Sequence, residues 1–225
     1  MSALLFVGRQ IFIYVVHLLP ENLLLHLGRL GYLAELFVRK DDAVPIIVLD
    51  VAEDPQAVLR REVLFADGNS FYCSCEESMQ PWLHGKPIIV ASNNDGCAIA
   101  MNRPAKRYVR MGDALFQIAD TIREHGIVTF SSNYELYGDM SNRMHSIWAS
   151  FVPNLEIYSI DEAFLDFTGM EGFDFEKLGR EIIRTTRRGI GIPICLGIAP
   201  TKVLAKAANK LAKTDDARRG LYIID

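Results

Sequence analysis

Net positive charge is missing from this 225-residue chain, which carries a formal charge of −4. Proteins that hold a nucleic-acid duplex unaided are usually basic overall, so the balance argues against a self-sufficient duplex binder. Paired cysteines are missing too. Cys73, Cys75, Cys97 and Cys195 form no CxxC motif. On a helix near residue 71, Cys73 and Cys75 point to different faces, which disfavours a cysteine metal site and suggests small buried hydrophobes of a reduced, cytoplasmic protein. No long apolar run exists. The run Ile11–Leu19 contains His17 and is broken by Pro20, too short for a bilayer span. A basic amino end and a small-residue cleavage site are also absent, so neither a signal peptide nor membrane association is expected. Internal repeats and low-complexity tracts are lacking. What is present is a chain half hydrophobic, enough for a sizeable core.

Residues 1–62 give no clear pattern and read as an unassigned extension. From Val63 onward strand and helix signals alternate. Val63–Ala66 reads as a strand running into Asp67-Gly68-Asn69-Ser70, where Asn69 or Ser70 can cap a helix starting at Phe71. Ile88–Ala91 reads as a strand closed by the turn-rich Ser92-Asn93-Asn94-Asp95-Gly96. Helical segments are expected near 103–110 and 114–124, then a strand over Ile127–Ser131 and a long helix over Tyr134–Phe151. Glu156–Phe167 reads as two strands with a tight tip, Glu176–Arg188 as a helix, Ile194–Ala199 as a strand, Thr201–Lys213 as a helix and Leu221–Ile224 as a last strand. Apart from the extension and an insert near 80–131, this order suits an antiparallel-rich α+β sheet covered on one face.

Three features can carry chemistry. Asp67 ends a buried strand, where a cation can reach its carboxylate, and Gly68 lets the backbone approach closely enough for its carbonyl to act as a ligand. A plain turn acid or helix cap has the same appearance. Asp161-Glu162 lie between apolar stretches. Adjacent side chains on a regular strand face opposite ways, so the two acids share a task only at a hairpin tip or bulge. Near a core they are costly unless a cation compensates them; a solvated turn is the plain alternative. In the helix Thr201–Lys213, Lys202, Lys206, Lys210 and Lys213 fall on one face, with Val203, Leu204, Ala207 and Leu211 opposite. Such a stripe is ordinarily solvated, but it binds phosphate where something negative docks. Together the three features describe a two-metal phosphoryl-transfer site: carboxylates holding divalent cations such as Mg²⁺, and a basic helix for a triphosphate.

The wording of these segments resembles the Y-family translesion DNA polymerases of the UmuC type. The resemblance is carried by Asp67-Gly68-Asn69-Ser70-Phe71-Tyr72-Cys73-Ser74-Cys75-Glu76, Ser92-Asn93-Asn94-Asp95-Gly96-Cys97, Phe130-Ser131-Ser132-Asn133-Tyr134-Glu135-Leu136-Tyr137, Tyr158-Ser159-Ile160-Asp161-Glu162-Ala163-Phe164 and Gly197-Ile198-Ala199-Pro200-Thr201-Lys202. It covers residues 63–225 in order. It implies a ferredoxin-like palm (63–79 and 132–225) with a small inserted fingers subdomain (about 80–131). It further implies two Mg²⁺ held by Asp67, Asp161, Glu162 and the Gly68 carbonyl, and Tyr72 as the steric gate against a 2′-hydroxyl. Lys106 and Lys213 match residues that meet the incoming triphosphate. Implied substrates are a damaged DNA primer–template and deoxynucleoside triphosphates; implied partners are a UmuD′-like dimer and RecA in the SOS response.

The family usually has a glycine between the positions of Tyr108 and Val109, as a helix C-cap, and its absence here predicts altered fingers geometry. The chain is expected to lack thumb and little-finger domains. The expected function is translesion synthesis by a truncated catalytic fragment. One alternative is a non-catalytic remnant that binds SOS partners or single-stranded DNA; metal-dependent primer extension separates the two. Another palm enzyme, such as a nucleotide cyclase, would need no steric gate.

Overall fold

The structure, a computed structural model, describes residues 12–15, 34–37, 46–49, 63–167 and 172–224. Within the extension, β1 (Phe12–Val15), β2 (Ala34–Phe37) and β3 (Ile46–Leu49) form a small antiparallel sheet with β3 central. The apolar run Ile11–Leu19 is thus strand over Phe12–Val15 and otherwise outside the described residues. Among the described residues no helix is long and apolar enough to cross a membrane.

The remaining elements are β4 (Val63–Gly68), α1 (Phe71–Met79), β5 (Ile88–Ala91), β6 (Ala98–Met101), α2 (Ala119–Glu124), β7 (Val128–Phe130), α3 (Tyr134–Ala149), β8 (Asn154–Ile157), β9 (Glu162–Asp166), α4 (Phe175–Ile190), β10 (Ile194–Ala199), α5 (Lys202–Thr214) and β11 (Leu221–Ile223). The main sheet has the order β11-β10-β4-β9-β8, antiparallel except for the parallel edge pair β10–β11. Without β11 this is the ferredoxin-like order expected. Strand alternation divides β4 between two faces. Leu64 and Ala66 face a core with Leu165, Leu196 and Ile198, covered by Tyr137, Met140, Met144 and Trp148 of α3 and Ile182 of α4. Burying each large side chain contributes roughly 1.5–3 kcal/mol. Trp148 Nε1 donates to Thr186 Oγ1 at 3.1 Å and ties α3 to α4 inside that core. Asn133 and Asp174 cap the two helices, accepting from Leu136 N and Lys177 N.

Val63, Phe65 and Asp67 point to the other face, where α5 packs. The expectation of a sheet covered on one face is therefore corrected. So is the packing face of α5: Ala205, Ala208, Asn209 and Ala212 are buried, whereas Leu211 is exposed. Small residues lie inward because the helix meets β10 at backbone distance over Gly197.

The insert is a second sheet of order β6-β5-β7, with β5–β7 parallel. Three local expectations fail here and nearby. The segment 103–110 forms only a 3-10 turn over Ala105–Arg107. The chain must turn back so that Gly112 N can bond Ala98 O and Cys97 can bridge Ala114, and the same pairing shortens the second helix to α2. β6, which the sequence pattern did not signal, is held as a strand by β5. At the start of α1, Ser70 is left-handed (φ 47°) and makes no side-chain cap. Tyr108 ends the turn at φ −120°, and its ring stacks on His125 with centroids 3.9 Å apart.

Candidate active site

The β4–β9 register sets Asp67 opposite Glu162, and cross-strand partners share a face. Asp67 is only 8% exposed. Lys213, at the end of α5, places Nζ 2.5 Å from Asp67 Oδ2. Burial raises the Asp67 carboxyl above its usual value; the charge and hydrogen bond of Lys213 oppose the rise, and the neighbouring Glu162 adds to it. Asp161 stands one residue earlier, in the β8–β9 tip. Its carbonyl accepts from Gly68 N at 2.9 Å, and its Oδ1 accepts from Ser159 Oγ at 2.9 Å. Asp161 is also raised, first by burial and then by Asp67, while the Ser159 bond lowers it. A Cβ on Gly68 would stand 3.0 Å from Phe71 Cδ2 and 3.5 Å from Asp161 Cβ, so the glycine lets the tip close against β4.

Two further lysines of the stripe meet acids of β8 and β9. Lys202 Nζ lies 2.5 Å from Glu156 Oε2, and Lys206 Nζ lies 3.8 Å from Glu162 Oε2 and 3.7 Å from the Tyr158 ring centroid. Tyr72 is half-buried on α1. Its ring stacks on Tyr137 (4.4 Å, 15°), and Tyr137 Oη donates to the buried Glu76 at 2.9 Å. Burial pushes the Tyr72 phenol up, aided by nearby Tyr134 and Asp161. The structure thus gathers Asp67, Gly68, Asp161, Glu162 and Lys213, with Tyr72 beside them. Lys106 stands apart, in the turn of the insert, near enough to Cys73 to act on its thiol. Burial dominates there and pushes the Cys73 thiol up to about 12.

Sequence reasoning gave no role to Ser159, Tyr137 or Glu76, which orient Asp161 and Tyr72. The only signal was that all three sit in the motifs quoted above. Among the described residues, no three acid, histidine or cysteine side chains converge on one point. Asp67 is engaged by Lys213 and Glu162, and Asp161 by Ser159. The donor set itself, hard carboxylate oxygens kept near water's edge, fits a divalent cation such as Mg²⁺.

This electrostatics has a measurable consequence. Asp67 and Asp161 hold their protons more tightly folded than unfolded, so their contribution to stability is full below the unfolded value of 3.8 and is lost as pH rises through the raised folded values. In metal-free buffer the melting temperature of wild type should fall, relative to Asp67→Asn, as pH rises through that window. At neutral pH, Mg²⁺ at a hundred times its Kd should restore about 2.7 kcal/mol to wild type and little to Asp67→Asn. Calorimetry with and without Mg²⁺ checks both. Equal metal stabilisation of the two proteins would remove Asp67 from any metal site.

Residues 66–210 match the family described as impB/mucB/samB. The chain is 49% identical over 149 residues to Protein UmuC of Salmonella typhimurium, covering 65% of this chain and 35% of that protein. It is 32% identical over 174 residues to DNA polymerase IV of Moorella thermoacetica, covering 72% and 41% respectively. Among solved structures, DinB from Sulfolobus solfataricus superposes with a TM-score of 0.63 at 27% identity, over 72% of this chain and 48% of that one. The insertion ternary complex of Dbh DNA polymerase gives 0.65 at 27% identity, over 73% and 48%. The chain spans 35% of the length of its UmuC relative, and less than half of the solved chains.

Proposed function

The chain belongs to the impB/mucB/samB family of Y-family, UmuC-type proteins, and from that premise we propose that it carries the palm and fingers of a translesion DNA polymerase. The palm comprises residues 63–79 and 132 onward, and the fingers about 80–131. The reading rests on one observation above the others. Asp67 and Glu162 face each other in register, Asp161 adjoins them at the tip, and Tyr72 lies beside the trio.

Asp67, Asp161, Glu162 and the Gly68 carbonyl would hold two Mg²⁺. When bound, such ions would supply charge stabilisation to the phosphoryl group and a lowered pKa to the attacking hydroxyl. The chain's own residues position the reactants. Lys213, paired with Asp67 at 2.5 Å, offers an ammonium to a triphosphate docked beside these acids. Lys106 offers a second ammonium from the fingers. Tyr137, itself fixed by Glu76, backs the Tyr72 ring so that it cannot retreat from a 2′-hydroxyl. Damaged primer–template DNA and deoxynucleoside triphosphates are the proposed substrates. A UmuD′-like dimer and RecA are the proposed partners in the SOS response, by analogy with UmuC.

Single-nucleotide insertion on a primer–template, with Mg²⁺ and at low and moderate salt, tests the reading. Tyr72→Ala should raise the use of ribonucleotides relative to deoxyribonucleotides at least about tenfold, or about 1.4 kcal/mol of lost steric discrimination. An unchanged ratio would assign Tyr72 to packing alone. Retained single-stranded DNA binding with no insertion under any condition would favour the non-catalytic reading.

A further inference from the structure

The buried face of α5 is small and apolar except at one position. Ala205, Ala208 and Ala212 are buried where the helix packs on β10, and among them stands Asn209, only 2% exposed. Its Nδ2 donates to Cys195 O at 2.7 Å and to Phe65 O at 3.4 Å, so a single amide bonds two adjacent strands, β10 and β4. Both acceptors lie close to the first acid of the site. Cys195 is the register partner of Asp67, and Phe65 lies two residues before Asp67 on β4. Lys213 follows Asn209 by four residues, one helical turn or about 6 Å along α5, on the same side of the helix. Its Nζ lies 2.5 Å from Asp67 Oδ2.

We propose that Asn209 is a positioning residue: it locks α5 in the register that holds the Lys213 ammonium against Asp67, and so sets where the triphosphate of an incoming nucleotide is met. The link to the nucleotide rests on the polymerase reading above; the link between Asn209, Lys213 and Asp67 does not. Alanines over Gly197 seat the helix closely, but such small side chains raise only shallow ridges to fix its register. A slip of one residue turns every side chain of α5 by about 100°, which would swing Lys213 off Asp67. The two directional bonds of the amide are broken by such a slip. A buried polar group is costly unless bonded, and its best-attested use in a packed interface is to fix register.

The test uses the 225-residue chain. Asn209→Ala removes the donor by truncation and Asn209→Leu removes it at similar volume, so a packing fault in one variant is not shared by the other. Melting temperatures of Asp67→Asn, Lys213→Met and their combination give the coupling between acid and ammonium. With Asn209 present, the two changes should be non-additive by up to about 2–4 °C; with either Asn209 variant, they should add. Titration calorimetry with Mg²⁺–dATP supplies the second readout. Lys213→Met should weaken the probe about tenfold and each Asn209 variant about fivefold, whereas Asn209→Ala in the Lys213→Met background should weaken it no further. A residue that merely holds the fold would lower the melting temperature, leave the coupling intact and weaken dATP equally in both backgrounds. Intact coupling, or an undiminished effect without Lys213, overturns the positioning role while the polymerase site stands. If the coupling vanishes but wild type does not bind dATP, Asn209 still sets the Lys213–Asp67 pair, and the polymerase reading falls together with the nucleotide half of the proposal.

Discussion

Asp67→Asn and Asp161→Asn should each reduce nucleotide insertion by roughly a thousandfold, in this chain or grafted into a full-length relative. The estimate follows from the several kcal/mol that a metal-bound phosphoryl centre contributes, at about 1.4 kcal/mol per factor of ten. The fold should not suffer. Both carboxyls have raised pKa values because burial opposes their charge, so a neutral isostere removes an unfavourable term at neutral pH. Lys213 would lose its partner, but its side chain is 36% exposed and can hydrate. Glu162→Gln should cost less, about tenfold, because its side chain is more open and is shared with Lys206 at 3.8 Å. The decisive combination is loss of insertion with an unchanged or higher melting temperature. Activity near wild type in either aspartate variant would remove the metal role; loss of activity together with unfolding would make it merely structural.

The legible parts of this site were those written in local chemistry. A strand ending in Asp-Gly, an acidic pair between apolar stretches, and lysines at helical spacing each have a mechanism that acts within a few residues. The unreadable parts depended on partners far away in the chain. Residues 103–110 carry adequate helix formers, yet the turn stops after Ala105–Arg107, because Ala98 and Ala114 make competing backbone pairings. Hydrophobicity placed Val203, Leu204, Ala207 and Leu211 on the inner face of α5. The opposing strand carries a glycine, so the helix comes in on its alanines and leaves Leu211 in solvent. The stack of Tyr72 on Tyr137 could not be read either, since 65 residues separate the rings and only the α1–α3 packing brings them together.

That glycine carries the last prediction. Gly197→Ala should destabilise the protein by about 3–5 kcal/mol, although its backbone is not left-handed and the same change in an unobstructed strand is usually favourable. Gly197 sits in the middle of β10, paired with Phe65 and Tyr222. A Cβ there would stand 2.1 Å from the Ala205 carbonyl oxygen, 2.3 Å from Asn209 N and 2.9 Å from the Ala208 carbonyl carbon. Every one of these is backbone, so no rotamer change relieves the clash, and ordinary contact near 3.5 Å requires α5 to lift by more than about 1 Å. Lifting it also strains Asn209 Nδ2, which donates to Cys195 O at 2.7 Å and to Phe65 O at 3.4 Å. Overpacking of about 1–3 kcal/mol and a lost buried hydrogen bond of similar size add to the expected figure, roughly 10 °C of melting temperature for a chain of this length. Gly138→Ala on α3 is the control: nothing lies within 4 Å of its added Cβ, and helix propensity predicts a gain of up to about 1 kcal/mol. Because Lys213 lies in the last turn of α5, the shifted helix should also draw the ammonium away from Asp67, weakening triphosphate affinity in whatever fraction stays folded. If Gly197→Ala melts with wild type, or if both alanine variants move in the same direction, then the close seating of α5 on β10 does not hold this side of the site together.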